Sequence, residues 1–286
     1  MIDTVSLEDT ACFQHEAMNT VFSIYVPKTQ DPERVEGAAA EAFDKLDTLE
    51  GLLSRYRPDS EISMINAMRA GERLLVTPDT HDCLRLAFEI YAETGGLFDV
   101  TLGEAIEHRK SQSDGLPPIS TGQLRLVSSP PAVECVEAGR VVDLGGVGKG
   151  YALEKIAEVL RSWEVDSALL CSGPSTVLAI GPDAWPVEIS GTQKCLRLTL
   201  QEQSLASSGT AVQGAHIVNP DALDNRKAYS AERVWVLSRS AARADAYSTV
   251  CLLLSNEETA ELLKNASDIE QIYREESDGL IHLMRA

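Results

Sequence analysis

A carboxylate and a hydroxyl lie four residues apart in the segment Ala244-Asp-Ala-Tyr-Ser-Thr249. Residues at this spacing share one face of a helix, so Asp245 and Thr249 would present their oxygens together. The helix that would carry them is otherwise apolar and ends in VCLLLS, and polar groups buried in such a setting need partners. A hard cation such as magnesium would accept both oxygens. The alternative is that Asp245 is an N-terminal cap or a first-turn acid after Ser240.

A glycine-rich segment, DLGGVGKGY, runs from Asp143 to Tyr151. The pattern predicts a strand that ends at Asp143 and a helix that begins near Lys149, with the glycines permitting positive φ and close approach of a ligand. Free amides at a helix start, together with Lys149, favour phosphate. The spacing matches neither a Walker A loop nor GxGxxG. A phosphate-binding turn and a plain strand-to-helix turn both remain open.

A histidine, His216, lies in the segment His-Ile-Val-Asn-Pro220. Histidine can act as an acid or a base near neutral pH. A single histidine on an apolar strand is also commonly structural, and the residues alone do not decide between these roles.

The composition narrows the class of ligand. The chain has 286 residues, 44% of them hydrophobic, and a formal net charge of −19. An acidic surface disfavours nucleic acid and anionic lipid, so an anionic ligand needs a local positive feature such as a metal, a lysine or a helix N-terminus. The N-terminal residues show no signal-peptide pattern, and we expect a cytoplasmic protein if that terminus is native. The six cysteines form no CxxC pair and are expected to be reduced thiols.

Periodicity predicts the elements that would position these residues. Antiparallel-looking strands alternate with pairs of helices, which favours an α+β fold. We expect a single domain over 1–286, with a surface excursion about 104–131 whose Ser-, Gly- and Pro-rich part is 111–131. The expected helices are 33–56, a short one capped by Asp59, 78–94, 148–163 and 241–254. The expected strands are 20–26, 74–77, 133–136, 140–143, 168–171, 176–180, 187–189, 196–200, 234–238 and an edge strand at 280–284.

Seven collinear segments resemble the FAD:protein FMN transferases, the ApbE family. The most specific is Asp143–Tyr151, which is similar to the family's Asp-Leu-Gly-Gly-Ile-Ala-Lys-Gly-Tyr. The resemblance implies an ApbE-like, T-fold-related α+β architecture of mainly antiparallel sheets flanked by helices. The other six segments are Met18–Phe22, Ser54–Asn66, Gly96–Gly103, Ser204–Gly209, His216–Pro220 and Ala244–Thr249.

The resemblance also implies an activity. A member of the family would cleave the FAD pyrophosphate with the help of magnesium, release AMP and attach FMN to a threonine or serine of a client protein. It implies Mg²⁺ bound by the Asp245 carboxylate, the Thr249 hydroxyl and the Gly148 carbonyl, with His216 and Asp245 as catalytic residues. The FAD-binding residues it implies are Met18, Asn19, Ser54, Phe98, Asp99, Thr101, Asp143, Gly145, Gly146, Lys149, Ser208 and His216.

Several positions depart from the family pattern. Cys171-Ser-Gly-Pro-Ser175 stands where Asn-Ala-Gly-Gly-Asp is usual, and Asn219 replaces an aspartate. The alternative function is therefore a divergent FAD-binding flavoprotein or a slow FAD pyrophosphatase that yields FMN and AMP. A non-catalytic role on the same fold is a third possibility.

Overall fold

The computed structural model describes residues 1–4, 7–111, 117–209, 218 and 230–284. These residues form two compact units. The first contains Met1–Thr48, Lys149–Gly209 and the described part of Tyr229–Ala286, and the second contains Leu49–Gly148 with Val218. The single domain over 1–286, with its excursion at about 104–131, stays a prediction.

Strands and helices alternate along the described chain. The strands are β1 (Ile2–Thr4), β2 (Thr10–Ala17), β3 (Thr20–Pro27), β4 (Arg73–Leu75), β5 (Gln123–Ser128), β6 (Pro131–Glu137), β7 (Ala168–Ser172), β8 (Thr176–Ile180), β9 (Trp185–Ser190), β10 (Cys195–Leu200), β11 (Ser204–Gly209), β12 (Arg233–Ser238), β13 (Ile269–Glu275) and β14 (Ile281–Met284). The helices are α1 (Pro32–Leu53), α2 (Glu61–Asn66), α3 (Pro78–Glu93), α4 (Gly103–Lys110), α5 (Gly148–Ser162), α6 (Ala241–Leu253) and α7 (Asn256–Asn265).

An antiparallel sheet of eight strands forms the centre of the first unit, in the order β14-β13-β12-β11-β8-β7-β3-β2. Alternate residues of a strand point to opposite faces. On one face Leu169, Val177, Leu205 and Trp235 form an apolar core with residues of the three-stranded sheet β1-β9-β10. The opposite face packs against helix α6, which contacts β8, β11 and β12.

Helix α6 is fixed at both ends by side chains of the first unit. The Ser240 hydroxyl caps its N-terminus by accepting from the Arg243 amide at 3.1 Å. The carboxylate of Glu154 on α5 accepts from the Ser240 hydroxyl at 2.7 Å and the Ala242 amide at 3.1 Å. Since the first amides of a helix lack partners within the helix, these bonds set the position of its start.

The C-terminus of α6 is held by Arg274 on β13, a side chain that is 1% exposed. Its guanidinium donates to the carbonyls of Cys251 and Leu254 at 2.9 and 2.8 Å, and to the Thr259 hydroxyl at 2.7 Å. Carbonyls at a helix end also lack helical partners. The buried arginine satisfies two of them.

The second unit contains the sheet β4-β6-β5 and helices α2, α3 and α4. Helix α2 is capped by Ser60, whose hydroxyl accepts from the Ser63 amide at 3.0 Å, so the expected cap at Asp59 is wrong by one residue. The side chain of Asn66, the last residue of α2, donates to the Val142 carbonyl at 3.0 Å and accepts from its amide at 2.7 Å.

The structure confirms the α+β class of mainly antiparallel sheets with helices. Two local expectations need correction. Residues 140–143 form no strand, because an amide side chain takes the hydrogen bonds of Val142, and Val141 makes only an isolated bridge to Leu102. The segment 111–131 contains strand β5, which pairs antiparallel with β6. No helix in the described ranges is long and apolar enough to cross a membrane.

Candidate functional site

Asp245 lies in the second turn of α6 and is 4% exposed. Its Oδ2 accepts from the Gly150 amide at 3.2 Å and lies 3.8 Å from the Lys149 ammonium, and its Oδ1 accepts from the Thr176 hydroxyl at 3.3 Å. Because Ser240 caps this helix, Asp245 is neither the cap nor a first-turn acid. Its partners come from α5 and β8, so the carboxylate joins three elements of the first unit.

Burial raises the pKa of Asp245 above its ordinary value. The Lys149 charge, the Gly150 amide and the Thr176 hydroxyl each act in the opposite direction and do not cancel the effect of burial on that pKa. A carboxylate that is desolvated to this extent gains from any further positive charge that reaches it.

Three hydroxyls lie beside one another where β11 meets α6. The Ser208 Oγ is 2.7 Å from the Ser248 Oγ and 3.3 Å from the Thr249 Oγ1. Ser248 is fully buried and donates to the Asp245 carbonyl at 2.8 Å. Ser208 and Thr249 were predicted as site residues from the sequence. Ser248 was not, although it lies inside the motif between Asp245 and Thr249.

The atoms predicted to bind a metal are of the kind that a hard cation prefers. Among the described residues, no three His, Cys, Asp or Glu side chains come together in a way that could hold a metal ion. The predicted magnesium set needs only one of these residue types, since it combines the Asp245 carboxylate with the Thr249 hydroxyl and the Gly148 carbonyl. All three are oxygen donors, the kind that Mg²⁺ prefers. Gly148 begins α5 and directly precedes Lys149 in the chain.

The glycine-rich segment is not a row of free amides, which corrects that expectation. The Gly145 amide donates to the Asp143 carboxylate at 2.8 Å, and the Val147 and Gly148 amides donate to the Leu144 carbonyl at 3.0 and 2.7 Å. None of its glycines is among the described residues with positive φ. The glycine-rich turn is therefore already hydrogen-bonded within itself.

Gly150 shows what a glycine of this segment is needed for. A Cβ at this position would lie 2.2 Å from the carbonyl oxygen of Ala241. The backbones of α5 and α6 therefore meet at Gly150, which brings its amide to Asp245. Sequence reasoning placed this glycine in the motif without giving it a role.

In the second unit Asp143 is 7% exposed and lies in a polar cluster. Its Oδ2 is 3.2 Å from Arg55 Nη1 and 3.9 Å from Lys110 Nζ. Arg55 also donates to the Gly103 carbonyl at 2.8 Å and to the Glu107 carboxylate at 3.2 Å. Through these contacts Asp143 anchors the glycine-rich turn. Arg55 was not predicted from the sequence as one of its partners.

A second polar pair in this unit involves Asp99 and Thr101. The Asp99 carboxylate accepts from the amide and hydroxyl of Thr101 at 2.8 and 2.6 Å, and Arg140 Nη1 lies 3.4 Å from it. Phe98 is buried. The carbonyl of Ser54 accepts from the Ser60 hydroxyl at 2.6 Å.

The remaining predicted residues lie in turns or outside the described chain. Met18 and Asn19 form the turn between β2 and β3 with φ of 50° and 60°, a left-handed pair typical of a two-residue hairpin. Gly146 lies in the turn before α5 and is partly exposed. His216 lies outside the described residues.

Comparison with known proteins decides the family. A family model described as the ApbE family matches residues 18–273. The chain belongs to the ApbE family. A curated relative, the FAD:protein FMN transferase of Treponema pallidum, is 23% identical over 90% of this chain and 82% of its own length.

Solved ApbE structures share the fold. The apo flavinyl transferase ApbE of Pseudomonas stutzeri superposes with a TM-score of 0.83 at 19% identity, covering 96% of this chain and 94% of its own. The flavin transferase ApbE of Vibrio cholerae gives a TM-score of 0.79 at 20% identity, covering 96% of both chains. The architecture expected from the resemblance is therefore confirmed.

Proposed function

We propose that this ApbE-family chain is a magnesium-dependent FAD:protein FMN transferase. It would cleave FAD, release AMP and attach FMN to a threonine or serine of a client protein. The observation that carries the proposal is the buried Asp245 of α6, one helical turn from Thr249, in a chain whose family model matches most of its length. The names of the curated relatives support the same activity.

The proposed metal ligands are Asp245, Thr249 and the carbonyl of Gly148. The oxygen chemistry of these donors fits Mg²⁺. When bound, the ion would screen the phosphate charge of FAD and stabilise the leaving AMP. The Lys149 ammonium, 3.8 Å from Oδ2 of Asp245, is the nearest counter-charge described for that carboxylate.

The proposed transfer exchanges one phosphorus–oxygen bond for another and changes no oxidation state. The client hydroxyl oxygen forms a bond to the FMN-side phosphorus, the bond from that phosphorus to the bridging oxygen breaks, and AMP leaves. The hydroxyl proton needs an acceptor, because a neutral hydroxyl is a poor nucleophile. We assign His216 and Asp245 as the candidate acceptors.

We assign the binding of FAD to the residues that the family resemblance implies. These are Met18, Asn19, Ser54, Phe98, Asp99, Thr101, Asp143, Gly145, Gly146, Lys149, Ser208 and His216. Since the Gly145 amide is already bonded to the Asp143 carboxylate, we expect the Lys149 side chain to contribute more to phosphate binding than the Gly145 amide does.

The test is a transfer assay with the full chain, FAD and Mg²⁺, with and without a threonine-bearing acceptor peptide. Chromatography measures AMP, and in-gel fluorescence measures flavin on the peptide. Peptide-dependent AMP release is expected, and Asp245→Ala should abolish it while the exposed Asp183→Ala retains it. Full magnesium-dependent transfer by Asp245→Ala would overturn the metal assignment.

One observation favours the second candidate, a slow FAD pyrophosphatase or FAD-binding protein. The β7–β8 turn reads Ser172-Gly-Pro-Ser175 and holds no carboxylate, where the family usually has an aspartate. AMP release that is equal with and without peptide would establish pyrophosphatase activity, and FAD binding without AMP release would establish a binding protein.

The role of His216 is tested separately. His216→Asn should lower turnover by roughly 10²–10⁴-fold with little change in FAD binding if the histidine is a general base. A loss confined to FAD affinity would assign it to positioning of the ligand.

A further inference from the structure

The hydroxyls of Ser208, Ser248 and Thr249 are close enough to form a chain of hydrogen bonds. The distances are 2.7 Å from Ser208 to Ser248 and 3.3 Å from Ser208 to Thr249. Each hydroxyl has one proton to donate and two lone pairs that accept. The direction of each bond is therefore fixed once one proton is assigned.

The Ser248 proton can be assigned first. Its Oγ lies 2.8 Å from the carbonyl oxygen of Asp245, and a carbonyl can only accept. Ser248 therefore donates its single proton to that carbonyl, as serines inside helices commonly do. In its contact with Ser208 the Ser248 oxygen must be the acceptor. The Ser208 hydroxyl therefore donates its own proton to Ser248.

The Thr249 hydroxyl is then the remaining donor. The Ser208 proton is engaged with Ser248, so Thr249 donates to Ser208, and neither lone pair of Thr249 is used within this trio. The chain runs from Thr249 to Ser208 to Ser248 to the Asp245 carbonyl, with every donor satisfied. Bonds linked in this way polarise one another and resist reversal.

We propose that Ser248 and Ser208 are positioning residues that keep the proton of Thr249 turned toward β11 and its lone pairs available to a divalent cation. The inference rests on the proposed metal site at Asp245 and Thr249. Ser248 itself does not need to reach the ion, because it acts on the direction of two neighbouring protons. It also links the two predicted ligands, since its own proton is bound to the backbone of Asp245.

The proposal predicts an unusual ranking of metal affinities. In Ser248→Ala the Ser208 proton loses its acceptor and turns to the nearest hydroxyl, Thr249. Thr249 then accepts from Ser208, and its own proton rotates away from β11 into a direction that a lone pair had offered to the cation. Mg²⁺ should bind about tenfold more weakly, the equivalent of one misdirected hydrogen bond. Ser208→Ala removes the competing donor, so the double variant should recover most of this loss.

The experiment titrates the full chain with Mn²⁺ followed by electron paramagnetic resonance, with Mg²⁺ as competitor and with and without FAD. Wild type, Ser208→Ala, Ser248→Ala and the double variant are compared in the condition where wild type binds. Ser204→Ala is the matched control, because Ser204 is buried on the same strand and donates to the Ser238 carbonyl at 2.8 Å, away from this trio. The control should leave metal affinity unchanged.

A double variant that binds more tightly than Ser248→Ala supports the proposal. A double variant that binds as weakly or more weakly would overturn it, because a packing role predicts that losses accumulate. If Ser248→Ala does not fold, Ser248→Cys replaces it, since a thiol keeps the shape but accepts weakly. Its smaller loss should again be reversed by Ser208→Ala.

The failure of the underlying metal site looks different. Asp245→Asn is run beside the series. If wild type binds no ion, or if Asp245→Asn binds it equally well, the proposed function loses its metal site and the inference falls with it. If Asp245→Asn abolishes binding but the serine series shows no recovery in the double variant, only the positioning role is wrong.

Discussion

Gly150→Ala tests whether the close approach of α5 and α6 builds the site. An added Cβ would lie 2.2 Å from the Ala241 carbonyl oxygen, 2.5 Å from its carbon and 2.7 Å from Ala242 Cα. Favourable carbon contacts lie at about 3.5–4.0 Å, so the two backbones must separate by roughly 1 Å. Overpacking of this kind costs about 1–3 kcal/mol, against a gain of at most about 1 kcal/mol from replacing a helical glycine.

The expected net effect is a loss of stability where helix propensity alone predicts a gain. Subtracting the full gain from the cost leaves a net loss of up to roughly 2 kcal/mol. At about 2–4 °C per kcal/mol for chains of about 150–250 residues, the melting temperature should fall by up to roughly 8 °C. Metal affinity should fall too, because the Gly150 amide that bonds Asp245 moves with the backbone. Calorimetry gives the first quantity and metal titration gives the second.

Gly148→Ala is the matched control on the same helix. Its Cβ would meet only the Leu144 Cβ at 3.8 Å, an ordinary contact. Gly51→Ala in α1 is a second control, since the nearest atom would be an arginine nitrogen at 3.9 Å. Both should be neutral or stabilising. A Gly150→Ala protein as stable as Gly148→Ala, with unchanged metal affinity, would refute the argument that backbone contact positions the carboxylate.

Three further predictions concern Asp245, Arg274 and the buried cysteines. Burial raises the folded-state pKa of Asp245, so its ionisation opposes folding as the pH rises above the unfolded value of about 3.9. In urea unfolding without metal, the stability of Asp245→Asn relative to wild type should therefore increase as the pH is raised from about 4. A difference that narrows with rising pH would contradict this. Arg274→Met leaves buried carbonyls without donors and should cost roughly 3 kcal/mol or more in the same assay, whereas a loss below about 1 kcal/mol would show that water replaces the guanidinium. Burial raises the pKa of Cys171 and of Cys251 to about 12, so at pH 8 a thiol reagent should label the exposed Cys195 in the native protein and these two only after unfolding; native labelling of either would show that its site opens.

Much of the secondary structure was predictable because its causes are local. The strand at Thr20–Pro27 alternates, and its residues Phe22, Ile24 and Val26 are fully buried. The helix at Pro78–Glu93 carries its own signals, with a capping Thr77 and a proline in its first turn. The edge position of the last strand was also predicted correctly.

The failures have local physical reasons as well. A strand at 140–143 was a reasonable reading of apolar residues, but the Asn66 side chain takes the backbone bonds of Val142 that a neighbouring strand would have used. Helix α7 was missed although Ser255 and Glu258 form a capping box. That signal lies in the sequence and was not used.

The site could be predicted only in part. The one-turn spacing of Asp245 and Thr249 placed both residues on one helix, as found. The residues next to Thr176 in the sequence do not indicate that its hydroxyl would bond the Asp245 carboxylate. The pairing of β7 with β8 and the packing of α6 on the sheet bring these two side chains together. The use of glycine-turn amides within the turn was equally invisible, since it depends on where the Asp143 side chain points.

The partners of Asp245 also bear on the order of events during folding. Its bonds to Gly150 and Thr176 span 95 and 69 residues, and Arg274, which holds the end of the same helix, follows it by 29 positions. Closing loops of this length costs conformational entropy, and that cost comes before the contact contributes any stabilising free energy. The carboxylate therefore acquires its surroundings only when α6 has packed against α5 and β8. A nascent chain that has not yet reached β13 holds an α6 whose last carbonyls lack their donor.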